Sequence, residues 1–138
     1  MTKSAYAMIA VCALGFAAGV SAGPREDLLD RYAREAKAAE PAFDNFSAAR
    51  GETLHRTPFA RGKPDTLACT SCHEKDARVA GRTRTGKAIE PMAVSVSPKR
   101  YTDPAKVEKW FKRNCNEVLG RECTPREKGD WLAYMMKQ

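Results

Sequence analysis

Five consecutive residues, Cys69-Thr70-Ser71-Cys72-His73, constrain this chain more than any other feature. Two cysteines separated by two residues, with a histidine directly after the second, is the arrangement that attaches a c-type haem. The thiols add across the two vinyl groups of the porphyrin, and the imidazole beside the second thioether is aimed at the iron. A bare Cys-x-x-Cys also occurs as a redox dithiol or as half of a zinc site. A zinc site needs a second ligand pair, and Cys115 and Cys123 have the wrong spacing to supply it. The predicted cofactor is one covalent haem c, held by Cys69 and Cys72, with His73 as the proximal iron ligand.

The start of the chain fits a protein that is exported before haem is attached. Met1-Thr2-Lys3 leads into an apolar stretch from Tyr6 to Val20, followed by Ser21-Ala22-Gly23-Pro24. A short basic start, an apolar run and small residues before the cut describe a secretory signal peptide cleaved after Ala22. The alternative is a retained anchor, but the run is shorter than the about 20 residues a spanning helix needs. Cys12 lies inside the run behind Val11 and is discarded with it. The expected organisation is a removed signal peptide, 1–22, and one cytochrome c domain, 23–138, long enough for a single modest core. The expected location is the periplasm, with no membrane attachment after cleavage.

The chain carries a net charge of +7. Its basic residues are interspersed with acidic ones in an exported protein, which argues against nucleic acid and for an acidic redox partner or plain solubility. With two cysteines in thioethers and Cys12 gone, Cys115 and Cys123 remain as an even pair in an oxidising compartment, where a disulfide is the default and two free buried thiols the alternative. Closing that nine-residue loop stabilises by about 2.5 kcal/mol on the chain-entropy account.

Helical periodicity covers most of the rest. Pro24 to Glu40 has proline in the first turn, Glu26 and Asp27 at the positive end of the dipole, and Leu28, Leu29, Tyr32, Ala36 and Ala39 at helical spacing. Ser47 is placed to cap a second helix through about His55, with Gly51 and Leu54 on one face. Residues 62–66, Gly-Lys-Pro-Asp-Thr, form a loop that delivers the haem motif. From Gly81 to Arg100 the chain has little periodicity and several cations, and is expected to be an extended loop wrapping the haem, with Met92 packed against the haem edge. Asp103-Pro104 opens a third helix that Gly120 stops. Val107, Trp110, Phe111, Asn114 and Val118 share one face of it, with Trp110 expected against the haem, while Asn116 lies about 200° away from Asn114. Thr124-Pro125-Arg126-Glu127 is a capping box for a final helix with Trp131, Leu132, Met135 and Met136 on its apolar face. No strand-period run appears. The fold class is all-α, a class I cytochrome c-like single haem domain with an added N-terminal helix.

The residue on the far side of the iron is less constrained. Small cytochromes c place a methionine there, some forty or more residues after the haem histidine. Met92 comes too early, and Met135 and Met136 belong to the last helix. His55, the one histidine outside the motif, precedes it. At the right distance stands Asn114, 41 residues on. A buried asparagine commonly bonds a backbone group or a propionate; its carboxamide oxygen is also able to bind iron. The residues alone leave both open.

The stretch from Trp110 through Asn114-Cys115 to Cys123-Thr124, with Arg82-Thr83-Arg84-Thr85-Gly86-Lys87, Ile89-x-Pro91 and Tyr101-Thr102-Asp103, resembles the oxygen-binding monohaem cytochromes c called sphaeroides haem protein, to which a methylotroph cytochrome c'' is related. The resemblance runs from Gly62 to the C-terminus. It implies that the residue before the first disulfide cysteine, here Asn114, is the distal haem ligand, and that the family disulfide maps onto Cys115 and Cys123. It further implies release of that ligand on reduction, binding of O2, CO or NO by the ferrous haem, and electrons from a partner, plausibly a dihaem cytochrome c. Two other functions compete: a simple electron carrier whose sixth ligand is permanent, and a haem enzyme acting on peroxide, NO or hydroxylamine. No acid–base pair stands beside the distal position in the sequence, which weighs against the enzyme.

Overall fold

The computed structural model describes residues 23–138; the signal peptide assigned to residues 1–22, Cys12 included, lies outside them. Four helices, α1 (Pro24–Ala39), α2 (Ala48–Arg56), α3 (Pro104–Leu119) and α4 (Pro125–Lys137), carry the fold. Between α2 and α3 lie a 3-10 turn at Cys69–Ser71 and a hairpin of β1 (Gly81–Arg82) and β2 (Ala88–Ile89). The described residues are all-α apart from that hairpin, as their periodicity predicts. The hairpin itself falls where an extended loop is expected: two residues per strand, with Gly81 opposite Ile89, are too few to show a period of two.

The helix ends follow from the residues that cap them. Proline occupies the first turn of α1, α3 and α4, where its missing N–H costs no hydrogen bond. The Asp103 carboxylate accepts from the Lys106 amide, and Gly120 closes α3 in a left-handed conformation. At α4 the capping box is reciprocal: Thr124 Oγ1 accepts from the Glu127 amide and the Glu127 carboxylate from the Thr124 amide. Ser47 caps α2 through the Arg50 amide.

Helices α2 and α4 form the tightest pair. Gly51 lies against the backbone carbonyl of Asp130, and a β-carbon there would sit 2.9 Å from that of Tyr134. The contact is locked by the Asp130 carboxylate, 6 % exposed, which accepts from the Ser47 amide and from two guanidinium nitrogens of Arg50 at 2.7–2.8 Å. Such a buried charge is tolerated because it is paired and fully hydrogen-bonded. The face of α2 that packs inward is Gly51 with His55; Leu54 is only half-buried.

Helix α1 adds a second layer. Leu28 and Tyr32 pack with Val107 of α3 and Leu132 of α4. The fully buried Tyr32 donates its hydroxyl to the Glu108 carboxylate, which also takes Arg31 of α1 and Lys128 of α4. That carboxylate titrates below its usual range: burial pushes it up, and the bonds from Lys128 and Tyr32 with the Arg31 charge outweigh it. Among the described residues no helix is long and apolar enough to cross a membrane.

Candidate functional site

The five-residue motif is folded by its own backbone and then held from three directions. The Ser71 amide donates to the Ala68 carbonyl, and the amides of Cys72 and His73 both return to the carbonyl of Cys69. Ser71 Oγ accepts from the Ala68 amide, closing the turn. The Cys72 carbonyl accepts from the Arg82 amide of β1, which brings the hairpin against the motif. Gly81 makes that approach possible, since a β-carbon there would overlap the Cys72 carbonyl oxygen and lie 3.0 Å from the His73 Cα.

After the motif, the Ala77 carbonyl accepts from the amides of both Met92 and Ala93, and the Val94 amide reaches the Met135 carbonyl of α4. Met92 is thereby placed in the core cluster of Ala77, Ala93, Trp131, Tyr134 and Met135, 8 % exposed. Of the cations in the 81–100 segment, Arg100 donates to the carbonyls of Pro91 and Glu90, and Arg84 pairs with Asp65.

Before the motif, the loop is tied to the end of α3. The Lys63 amide and the Thr66 hydroxyl both donate to the Glu117 carbonyl, and the Lys63 ammonium pairs with the Glu117 carboxylate at 2.9 Å. Asn114 is one helical turn back from that anchor, so the segment that delivers Cys69 leaves from the same end of α3 that carries Asn114.

The side chains of the two regions differ in what they touch. His73 is held largely out of solvent, and burial first, then the charges of His55 and Arg100, bring its pKa down to about 4. Its Nδ1 is buried and meets no hydrogen-bond partner among the described residues. Cys69 and Cys72, both partly buried, stand outside the disulfide and would form the two thioethers. On α3, Asn114 is half-buried and no side-chain hydrogen bond engages it among the described residues, whereas Asn116 donates to the Lys112 carbonyl at 2.6 Å. Cys115, buried, is joined to Cys123 as a disulfide with Cα atoms 5.5 Å apart. Trp110 is 44 % exposed, with the Arg113 guanidinium 5.5 Å over its ring.

These residues fit a covalently held haem. Two thiols, an imidazole with an orphaned buried nitrogen, and an indole left more open than a tryptophan usually is are the donor set and apolar contact that such a group uses. A zinc centre finds no counterpart: no group of three or more His, Cys, Asp or Glu side chains gathers to hold a metal ion among the described residues.

One residue near the motif escapes sequence reasoning. His55 is fully buried with its ring centroid 6.4 Å from that of His73. The available signal was its position four residues after Gly51, which places it on the same inward face.

The chain as a whole is similar to known proteins. Residues 41–135 match the family described as a domain of unknown function, DUF1924. The chain is 53 % identical over 104 residues to the cytochrome c-type protein SHP of Cereibacter sphaeroides, covering 75 % of this chain and 78 % of that one. It is 36 % identical over 114 residues to cytochrome c'' of Methylophilus methylotrophus, covering 82 % and 79 %. The fold superposes on oxidised SHP, an oxygen-binding cytochrome c, with a TM-score of 0.76 at 47 % identity, over 86 % of this chain and all of that one. Oxidised cytochrome c'' gives 0.74 at 34 % identity, over 83 % and 94 %. With its motif, its helices and these relatives in agreement, the chain belongs to the DUF1924 family and is a monohaem c-type cytochrome of the group that contains SHP and cytochrome c'', with one covalently bound haem c.

Proposed function

We propose that this protein is a periplasmic diatomic-ligand-binding cytochrome, with His73 proximal and Asn114 distal, whose distal residue leaves on reduction. Its signal peptide, 1–22, is removed, and 23–138 is the working domain. When bound, haem supplies an iron that moves between ferric and ferrous states and takes small ligands at its sixth position.

The observation that carries this reading is the contrast on α3. Asn114, half-buried and directly before Cys115, has an uncommitted carboxamide, while Asn116 spends its amide on a backbone carbonyl. A neutral amide oxygen is a hard, weak donor that suits ferric iron and loses its hold on the softer ferrous ion. With haem bound and reduced, Asn114 would withdraw and leave its place to O2, CO or NO. Its Nδ2 remains a donor within the pocket, and distal donors of that kind govern how a haem treats O2. SHP is an oxygen-binding cytochrome c and a solution structure of cytochrome c'' concerns haem-ligand detachment, both of which support the assignment. Cys69 and Cys72 hold the cofactor, and the Cys115–Cys123 bridge fixes the backbone next to Asn114. Met92, buried among core side chains, packs rather than ligates. The electron comes from a redox partner, a dihaem cytochrome c, and the surplus of positive charge suits an acidic docking surface on it.

The test is the visible spectrum of the haem protein when ferric, when ferrous without air, and when ferrous with carbon monoxide. A high-spin five-coordinate ferrous form that takes up carbon monoxide at once is expected. A sharp low-spin ferrous spectrum indifferent to carbon monoxide would make the protein an electron carrier with a permanent sixth ligand. Asn114→Ala and Asn114→His are each expected to change the ferric spectrum, and unchanged spectra in both would dismiss Asn114 as a ligand.

A further inference from the structure

We infer that His55 is a positioning residue for the proximal ligand: together with Trp131 it fixes the backbone and ring of His73 where the histidine's own hydrogen bonding does not. This rests on His73 being the proximal ligand.

Histidines that bind metals ordinarily give their second nitrogen to a carbonyl or carboxylate, and that bond sets the orientation and donor strength of the ring. The Nδ1 of His73 has no such partner among the described residues. The ring of His55 lies near the ring of His73, centroids 6.4 Å apart and tilted by 33°. His55 sits with 0 % exposure on α2 and is bonded at both nitrogens. Its Nδ1 accepts from the indole N–H of Trp131 at 3.4 Å, and its Nε2 is 3.1 Å from the carbonyl oxygen of Glu74, the residue after His73. An indole nitrogen only donates, so the Nδ1 of His55 must carry the lone pair and Nε2 the proton. The tautomer is thus imposed by Trp131, and the proton it leaves on Nε2 is the one that tethers Glu74.

Trp131 is itself held edge-on by Tyr101 at 5.7 Å and by Phe111 at 5.5 Å. Phe111 belongs to α3, three residues before Asn114. The proximal histidine and the distal helix therefore lean on one aromatic block, with His55 as its contact to the motif.

The experiment compares the haem-loaded wild type with His55→Phe, which keeps a ring and loses both bonds, and with His55→Gln, whose amide is able to donate to Glu74 and accept from Trp131. The first readout is the iron–histidine stretching band of the ferrous protein by resonance Raman spectroscopy; the second is carbon monoxide affinity. In His55→Phe the band is expected to shift and broaden, with affinity changed roughly tenfold, the lower end of what loss of such a supporting contact does at metal sites. His55→Gln is expected to return both toward wild type. Trp131→Phe, which removes the N–H together with part of the ring, is expected to move the band in the same direction, and it decides the matter if His55→Phe fails to hold haem. A band unmoved in every variant that holds haem would reduce His55 to a core residue. Absence of any such band in a ferrous wild type whose visible spectrum is high-spin and five-coordinate would instead overturn His73 as the proximal ligand, and its absence from a low-spin ferrous wild type would overturn the release of the distal residue.

Discussion

The two sides of the haem site are built on opposite plans. On the proximal side, the backbone of residues 68–74 is bonded to itself, to the hairpin through Arg82 and to α2 through His55, and Gly81 touches it with no space to spare. On the distal side, Asn114 rides on α3, which approaches α1, α2 and α4 less closely at the backbone than α2 approaches α4. It reaches them through side chains: Val107 and Phe111 in the core, Glu108 in an ion cluster. The backbone beside Asn114 is fixed too, by the Cys115–Cys123 bridge and the ties to Glu117, but its side chain is held by no protein group among the described residues, and a held ligand on one face with an untied side chain on the other is what the proposed release of Asn114 requires.

The sharpest way to break the contrast is to add one carbon on the proximal side. Gly81→Ala places a methyl against the Cys72 carbonyl and 3.0 Å from the His73 Cα, both backbone atoms that cannot swing aside. The expected cost is about 3 kcal/mol, the upper end for overpacking, seen as a lower unfolding midpoint and a reduced yield of haem-loaded protein. A normal yield and midpoint would show that the hairpin yields and the proximal side is not rigid.

Next in size is the disulfide. Replacing Cys115 and Cys123 by serine together is expected to cost about 2.5 kcal/mol, measured by denaturant unfolding, and to alter the ferric spectrum because Asn114 adjoins the bridge. Alkylation of the mature wild type without prior reduction is expected to leave its mass unchanged. Labelling at two thiols would show that no bridge exists in solution.

How much of this contrast was legible before folding depends on how local each part is. The haem motif is five contiguous letters, and the ends of α1, α3 and α4 are announced by Pro24, Asp103-Pro104 and the Thr124–Glu127 box, all within one turn of the element they start. The hairpin was not legible because its reason is elsewhere: Gly81 is required by the carbonyl of Cys72, and the backbone amide of Arg82 donates to that same oxygen. His55 was illegible for the same cause, since its partners are Glu74, 19 residues on, and Trp131, 76 residues on. Asn114 lies between these cases. Its place on an apolar face was readable from spacing, whereas its freedom from hydrogen bonds emerges only when every neighbouring donor and acceptor has been assigned.

A smaller effect sharpens the distal half of the comparison. Glu108 ties α3 to α1 and α4, and its folded pKa lies below the usual 4.5. A carboxylate depressed on folding stabilises above its unfolded pKa, and that contribution is lost as the pH falls from about 4.5 through the folded value. Glu108→Gln is expected to lose about 1 kcal/mol at neutral pH and to converge on the wild type in acid. Parallel stability curves from pH 6 to 3 would mean that the cluster does not restrain α3.

The smallest expected change in stability comes from the most consequential residue. Asn114→Ala removes a half-buried amide that bonds no protein group among the described residues, so nothing is left unsatisfied by its loss. If Asn114 leaves the iron on reduction as proposed, the unfolding midpoint of the haem-loaded ferrous protein is expected to stay within about 0.5 kcal/mol of wild type. The ferric protein is expected to lose more, because under the proposed ligation the amide would contribute a bond to iron there. Equal changes in both redox states would mean that Asn114 is a packing residue, and the distal side would be as passive as the surface around it. A loss confined to the ferric state ties the ligand to one oxidation state only, which separates a releasable ligand from a permanent one without reference to any gas.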